Sequence, residues 1–332
     1  MAPRILVFGT GSIGAVYTYL LSRAVPASNI TAICRSNYEA ASRDGFIINS
    51  TLWGDNLNVR PAVAKSAADA VKSSAPEGAQ STFDYILVCS KALATSPSTA
   101  ELIRPAVGPG TAIVLIQNGI GIEAEYAAAF PDNPVVSTVV YLPATQVRPG
   151  VVEHQEVELL HVGTYPADAP AKAKDAAARL VDLLAAAGAT AKLHDDVQEQ
   201  RWSKLLVNAS WNPICALARL RDRQFLDAGG EEARAFVRDV MLEIVSVAQA
   251  CGYSTIDAEL VDFQIGRAVV RSPPGVQPSM LSDAFSSKSL EVEAIVGNVV
   301  KTARDKGVAV PMLRTIYMLA TGLSRSFELP RS

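Results

Sequence analysis

An apolar run, Arg4-Ile5-Leu6-Val7-Phe8, passes without a break into Gly9-Thr10-Gly11-Ser12-Ile13-Gly14, and residues 15–21 are again apolar. The first segment suits a buried parallel strand, the glycines a tight turn and the third segment a helix. That strand–turn–helix setting is what gives a GxGxxG pattern meaning. Gly9 permits the turn, Gly11 lets the backbone approach a pyrophosphate, and Gly14 lets the helix pack closely on the strand. The N–H groups of the first helical turn, from Ser12 and Ile13 onward, then face the phosphates. The arrangement predicts an N-terminal Rossmann-type, doubly wound α/β sheet, with Gly9, Gly11, Ser12, Ile13 and Gly14 against a dinucleotide.

The second strand, residues 29–34, ends in Arg35-Ser36. A carboxylate there would accept the ribose hydroxyls of NAD, but none is present and Asp44 lies too far along. A guanidinium can instead grip the 2′-phosphate of NADP through paired hydrogen bonds. Arg35 therefore points to NADP(H).

Strands and helices alternate up to residue 194, with strands expected at 83–89, 111–117, 135–142, 156–162 and 190–193 and an Ala-rich helix at 170–187. Residues 62–71 and a polar, Ser-rich stretch, 72–81, precede the 83–89 strand. Functional residues in such sheets sit where strands end, which singles out Lys91 and Asn118. Beyond Asp196, which begins a capping pattern with Glu199, the sequence is nearly all helical: 231–251, 255–270 and 290–306, punctuated by Gly252, Pro273, Pro274 and Pro311. We therefore expect residues 1–194 to form the NADP-binding domain and 195–332 an all-helical substrate domain.

Composition narrows the partners. A chain of 332 residues with 49% hydrophobic residues fills two cores, and a net charge of −3 offers no basic footprint for nucleic acid. No apolar run is long enough for a membrane span. The first strand begins too close to Met1 for a signal peptide, so a cytoplasmic protein is expected. Cys34, Cys89, Cys215 and Cys251 fit no metal-ligand spacing and read as reduced thiols, while His154, His161 and His194 form no cluster. No metal is expected. Apolar positions on the C-terminal helices are compatible with a homodimer.

The segment most telling for chemistry is residues 198–217, QEQRWSKLLVNASWNPICAL. Lys204, Asn208 and Asn212 recur at intervals of four, so a helix lines them up on one face among Leu205, Leu206, Val207 and Trp211. A polar row between apolar neighbours is costly unless something polar sits opposite. A small polar substrate would do so. Near apolar walls a lysine loses solvation of its charged form and gives up its proton more readily. It can then stabilise a developing alkoxide and protonate it.

In order along the chain come GTGSIG, Lys91 after the Val88-Cys89 strand, Gln117-Asn118-Gly119, Trp202-x-Lys204-Leu205-x-x-Asn208, Pro278-Ser279-Met280-Leu281-x-Asp283 and Glu291. Taken together they resemble the ketopantoate reductase (2-dehydropantoate 2-reductase) family over nearly the whole chain. The resemblance implies a Rossmann domain followed by a helical domain, with the active site in the cleft between them. It implies Lys204 as general acid and Glu291 as the partner of a substrate hydroxyl. Asn208, Asn212 and Ser279 would bind substrate, with Lys91 and Asn118 near the nicotinamide. The implied reaction is NADPH-dependent reduction of a branched 2-oxo acid, 2-dehydropantoate to pantoate. Two departures bear on the substrate: Val296 stands where many members have asparagine, and Lys288 is unusual in its loop. A different carbonyl or imine substrate is the alternative they raise, with a non-catalytic NADP(H) sensor as a further one. Glu293 lies on a different face from Glu291 and reads as solvated or as a secondary contact.

Overall fold

The computed structural model describes residues 2–74 and 83–329, so the Ser-rich stretch from residue 75 onward lies outside the described residues. The chain forms two compact units. The first comprises Met1–Lys91, Thr95–Gln117 and Glu123–Val197; the second comprises Ala92–Ala94, Asn118–Ile122 and Gln198–Ser332.

The first unit carries strands β1 (Ile5–Phe8), β2 (Ile30–Ile33), β3 (Phe46–Ser50), β4 (Gly54–Val59), β5 (Ala62–Ala64) and β6 (Tyr85–Val88). They are followed by β7 (Ala112–Leu115), β8 (Val135–Tyr141), β9 (Ala144–Arg148), β10 (Val151–His154), β11 (Leu159–Tyr165) and β12 (Ala191–Leu193). An eight-stranded sheet runs β12-β11-β8-β7-β6-β1-β2-β5. Its pairs are parallel except for β8 with β11. β1, β2, β6 and β7 are buried at every residue, as the runs ILVF, ITAI, YILV and AIVL require of strands covered on both faces. The helices Ser12–Leu21 and Ala171–Ala186 contribute to the core that these strands share, through Val16, Leu20, Leu180 and Leu184.

A second sheet of four strands, β4-β3-β10-β9, was not expected from the sequence. β3 shows the period-2 burial of a one-sided strand, but β4 is largely exposed and β9 wholly without buried residues, so neither carries an apolar signature. The histidines also depart from expectation. His161 Nδ1 lies 2.7 Å from His194 Nε2, so two of them pair; β11 and β12 are parallel neighbours, which brings together residues far apart in sequence. No group of three metal-ligating side chains occurs among the described residues. The four cysteines are free thiols, with Cys34 and Cys215 buried and Cys89 and Cys251 half-buried.

The second unit is helical. Its helices are Gln198–Ala218, Asp222–Ala250, Ala258–Val269, Ser279–Phe285, a π-turn at Glu293–Gly297, Asn298–Asp305 and Pro311–Ser326. Val237, Val240, Met241 and Ile244 recur at helical spacing and join Trp202, Leu205, Leu206, Leu313 and Ile316 in one core. The span 222–250 is two helical pieces meeting at Gly230, whose φ of 57° breaks the helix, so the piece expected from 231 is preceded by another. Asp257 caps the next helix by accepting the Leu260 N–H at 2.9 Å, which moves its start from 255 to Ala258. Pro311 opens a helix where a break was expected, because proline at the first helical position gives up only an N–H that would go unused. No described helix is long and apolar enough to cross a membrane.

Candidate active site

In the first unit the three loop glycines have different duties. Gly9 adopts φ of 92°, and a Cβ there would lie 2.5 Å from the Ser90 backbone nitrogen. A Cβ on Gly14 would collide with the Gly9 carbonyl, so this glycine admits the close helix–strand approach. At Gly11, by contrast, a Cβ would meet nothing within 4 Å. Gly11 is also the N-cap of the Ser12–Leu21 helix, and no side chain caps that end among the described residues. The loop therefore offers open space in front of uncapped N–H groups, which is what a pyrophosphate needs.

The loop is held from behind. Thr10 donates through its hydroxyl to the Ile33 carbonyl at 2.8 Å, and the buried Asn37 donates from Nδ2 to the Thr10 carbonyl at 2.7 Å. Ser12 Oγ accepts the Gln146 N–H at 2.8 Å, leaving its backbone, like that of half-buried Ile13, to face a ligand. Ser90 Oγ is buried without a hydrogen-bond partner among the described residues, beside the Gly9 turn. Arg35 is exposed just past β2, its guanidinium carbon 6.0 Å from the Phe8 ring centroid. Lys91 is half-buried, shortly after β6. Asn37 and Ser90 escaped the sequence reading; Asn37 lay two residues past the arginine and had a turn residue's ordinary appearance.

The second unit builds its site on the Gln198–Ala218 helix. Lys204 Nζ donates to Asn118 Oδ1 at 2.8 Å. Burial drives the Lys204 pKa down, the nearby Arg201 guanidinium drives it down further, and the Glu291 carboxylate offsets part of this, leaving it at about 7. Asn118, expected beside the cofactor, thus has its amide oxygen on the lysine. Its loop is fixed by backbone: Gly119 has φ of 106°, and a Cβ there would collide with the Ala294 carbonyl. The Ile120 N–H donates to that same carbonyl at 3.0 Å, and Asn298 Nδ2 donates to the Ile120 carbonyl at 2.7 Å. The π-turn at Glu293–Gly297 carries Ala294, a geometry frequent at functional sites.

Glu291 is buried and its Oε1 accepts the Ala92 N–H at 2.8 Å. Asn208, one turn beyond Lys204, is half-buried. Asn212 is buried, and its Oδ1 accepts from the Ser279 hydroxyl at 3.3 Å and the Met280 N–H at 3.1 Å. Asn212 therefore anchors the start of the Ser279–Phe285 helix, on which Ser279 is exposed. Glu293 is exposed, and its Oε2 accepts the Tyr317 hydroxyl at 2.7 Å. Arg201 was missed. It is 3% exposed and donates to the Gly119 carbonyl at 2.8 Å. Its signal was its place three residues before Lys204, on the same helical face.

A lysine held near neutrality, with a buried carboxylate acting on it and amides along the same helix, suits proton delivery to a small polar carbonyl compound. Dinucleotide loops of the kind in the first unit accompany that chemistry in oxidoreductases. Comparison with known proteins agrees. The family profile described as "Ketopantoate reductase PanE/ApbA" matches residues 5–167, and "Ketopantoate reductase PanE/ApbA C terminal" matches 196–324. The chain belongs to the ketopantoate reductase family, whose 2-dehydropantoate 2-reductases are NADP-dependent oxidoreductases acting on a CH–OH group. It is 34% identical to the crystal structure of 2-dehydropantoate 2-reductase from Methylococcus capsulatus, with a TM-score of 0.81 and 98% of each chain covered. An uncharacterized Saccharomyces cerevisiae protein is 30% identical over 95% of this chain and 92% of its own length. A 2-dehydropantoate 2-reductase of a Nostoc species is 25% identical, with 94% and 92% covered.

A Cβ at position 11 meets open space, although ψ of −149° there is one that a valine adopts at some cost, so Gly11→Val should remain folded while blocking the phosphate approach. Thermal melting is expected to show a cooperative transition at or somewhat below that of the wild type, and calorimetric titration with NADPH to show no binding. Normal binding to the folded variant would remove the loop from the cofactor site.

Proposed function

We propose that this chain reduces a small 2-oxo acid with NADPH, and that its substrate is 2-dehydropantoate, reduced to pantoate. The observation that carries the reading is the Lys204 ammonium, tied to Asn118 at 2.8 Å and held at a pKa of about 7. A nicotinamide cofactor, when bound, would supply the hydride. Negative charge then grows on the carbonyl oxygen, and the Lys204 ammonium both stabilises it and gives up one proton, completing the alcohol. Asn118 takes one of the three ammonium hydrogens, which turns the others in a defined direction. Glu291, steadied by the Ala92 N–H, accepts from the hydroxyl that distinguishes 2-dehydropantoate from simpler 2-oxo acids. Asn208 and Ser279 receive the substrate carboxylate, while Asn212 sets the position of Ser279. Gly9, Gly11, Ser12, Ile13 and Gly14 hold the pyrophosphate, Arg35 the 2′-phosphate and Lys91 the nicotinamide half.

A second reading keeps the chemistry and changes the substrate. Val296, in the place of the family's common asparagine, is fully buried in the helical core and offers no polar atom to a ligand. A carbonyl compound without the hydroxyl would not need one. The two readings separate on a substrate pair, 2-dehydropantoate and a matched 2-oxo acid lacking the hydroxyl, with NADPH consumption followed by absorbance. The wild type should favour 2-dehydropantoate, and Glu291→Ala should raise KM most for it, beyond any loss of kcat that both substrates share as Lys204 holds its proton less firmly. Equal damage to both substrates would deny Glu291 the role of hydroxyl reader, and a wild type that ignores 2-dehydropantoate while reducing the other acid would establish the second reading.

Lys204→Ala should lower kcat by about a hundredfold to ten-thousandfold, the range for a general acid, with NADPH affinity unchanged. The pH dependence has a defined sign. Reduction requires the charged lysine, so wild-type kcat/KM should decline as pH rises through about 7, and the reverse oxidation should increase over the same range. A profile flat across neutrality would be incompatible with proton delivery from this group.

Arg35→Ala should weaken NADPH binding by about tenfold to a hundredfold, the loss of one charge-assisted phosphate contact, and leave NADH binding nearly unchanged. Equal wild-type affinities for the two cofactors would refute the role of Arg35.

A further inference from the structure

Arg201 is a charged side chain that the reduction above does not use. It lies in the helical unit, 3% exposed, one turn before Lys204 on the same helix. A methionine or leucine would fill similar space without the penalty of desolvating a guanidinium, so packing alone does not account for it. One of its N–H groups, on Nη1, donates to the Gly119 carbonyl at 2.8 Å. Gly119 directly follows Asn118, whose side-chain oxygen receives the lysine, and precedes Ile120, which is tied to Ala294. The guanidinium therefore bridges the helix that carries Lys204 and the loop that orients it.

We propose that Arg201 is a positioning residue for the reduction, fixing the Asn118–Gly119 backbone against Lys204 and standing as a permanent positive charge beside the ammonium. The inference rests on Lys204 acting as the acid. Among the charges acting on that ammonium are Arg201, from its own helix, and Glu291, from the segment before the π-turn, while Asn118 is a neutral acceptor. Glu291 holds the proton on and Arg201 pushes it off. The balance of the two leaves an acid that releases its proton near neutrality and regains it from water after each turnover.

The test separates charge from packing. Arg201→Gln removes the charge and keeps a donor for the Gly119 carbonyl, whereas Arg201→Lys keeps the charge. Each full-length variant is checked by thermal melting. The Lys204 amine is then titrated without substrate, by its rate of acylation at a series of pH values read by mass spectrometry. The wild-type midpoint is expected near 7. In Arg201→Gln it should move to higher pH, so that the protonated fraction at pH 8 rises roughly threefold. Arg201→Lys should stay close to the wild type, and the fall of kcat/KM with pH should follow each midpoint. A Gln variant whose midpoint stays put, whatever it loses in stability or rate, would overturn the proposal and leave Arg201 a packing residue. So would a Lys variant that shifts as far as Gln. Because the labelling needs no substrate, failure to reduce any 2-oxo acid would instead count against the proposed reaction and be told apart from failure of Arg201.

Discussion

Taking the Lys204 ammonium out of bulk water is the cost around which the helical unit is arranged. A buried amine without partners would shed its proton and become an idle apolar-lined base. Here the loss of hydration is answered in part by the Asn118 amide oxygen and by the field of the Glu291 carboxylate. A buried arginine works in the opposite sense. None of the three comes from a long flexible arm at the surface. Each is attached to backbone that is itself restrained, so the opposing influences stay in fixed proportion.

The restraint is largely a matter of two chain segments coming closer than side chains would allow. Gly119, with its positive φ, lets the loop lie directly on the Ala294 carbonyl, and the neighbouring Ile120 completes the join. Ala294 sits in the π-turn that follows Glu291. One backbone contact thus sets the spacing between the amide that orients the lysine and the stretch that brings in the carboxylate. In the first unit Gly9 and Gly14 do comparable work, clearing room for the turn and for the helix, while Gly11 leaves the face toward a ligand open.

Much of this was legible in the sequence where burial is complete. The runs of β1, β6 and β7 announce themselves because both faces of those strands are covered. The row of Lys204, Asn208 and Asn212 follows from helical period alone. The four-stranded sheet was not legible, since β4 and β9 turn mostly polar residues outward and lean on pairing with their neighbours for their strand character. Pro311 was legible as punctuation, but not as the first residue of a further helix, because a proline can mark either end of a break. Arg201 looked like any surface arginine on an amphipathic helix, and only the tertiary contact with Gly119 gives it away. Asn212, read as facing a ligand, has its oxygen turned to the Ser279–Phe285 helix, a commitment that no spacing rule reveals.

Residues Asn118–Ile122 follow β7 in the chain and yet cluster with the helices, as Ala92–Ala94 do after β6. Ile120 is part of the same apolar core as Trp202 and Leu205. The helical half is therefore not a continuous cassette of sequence. A chimaera joined at the boundary between Val197 and Gln198 would carry the lysine away from its own asparagine, and would inherit from its new N-terminal half whatever loop that donor placed on Arg201. In this lineage the acid and the glycine-flanked loop that governs it have to be inherited together.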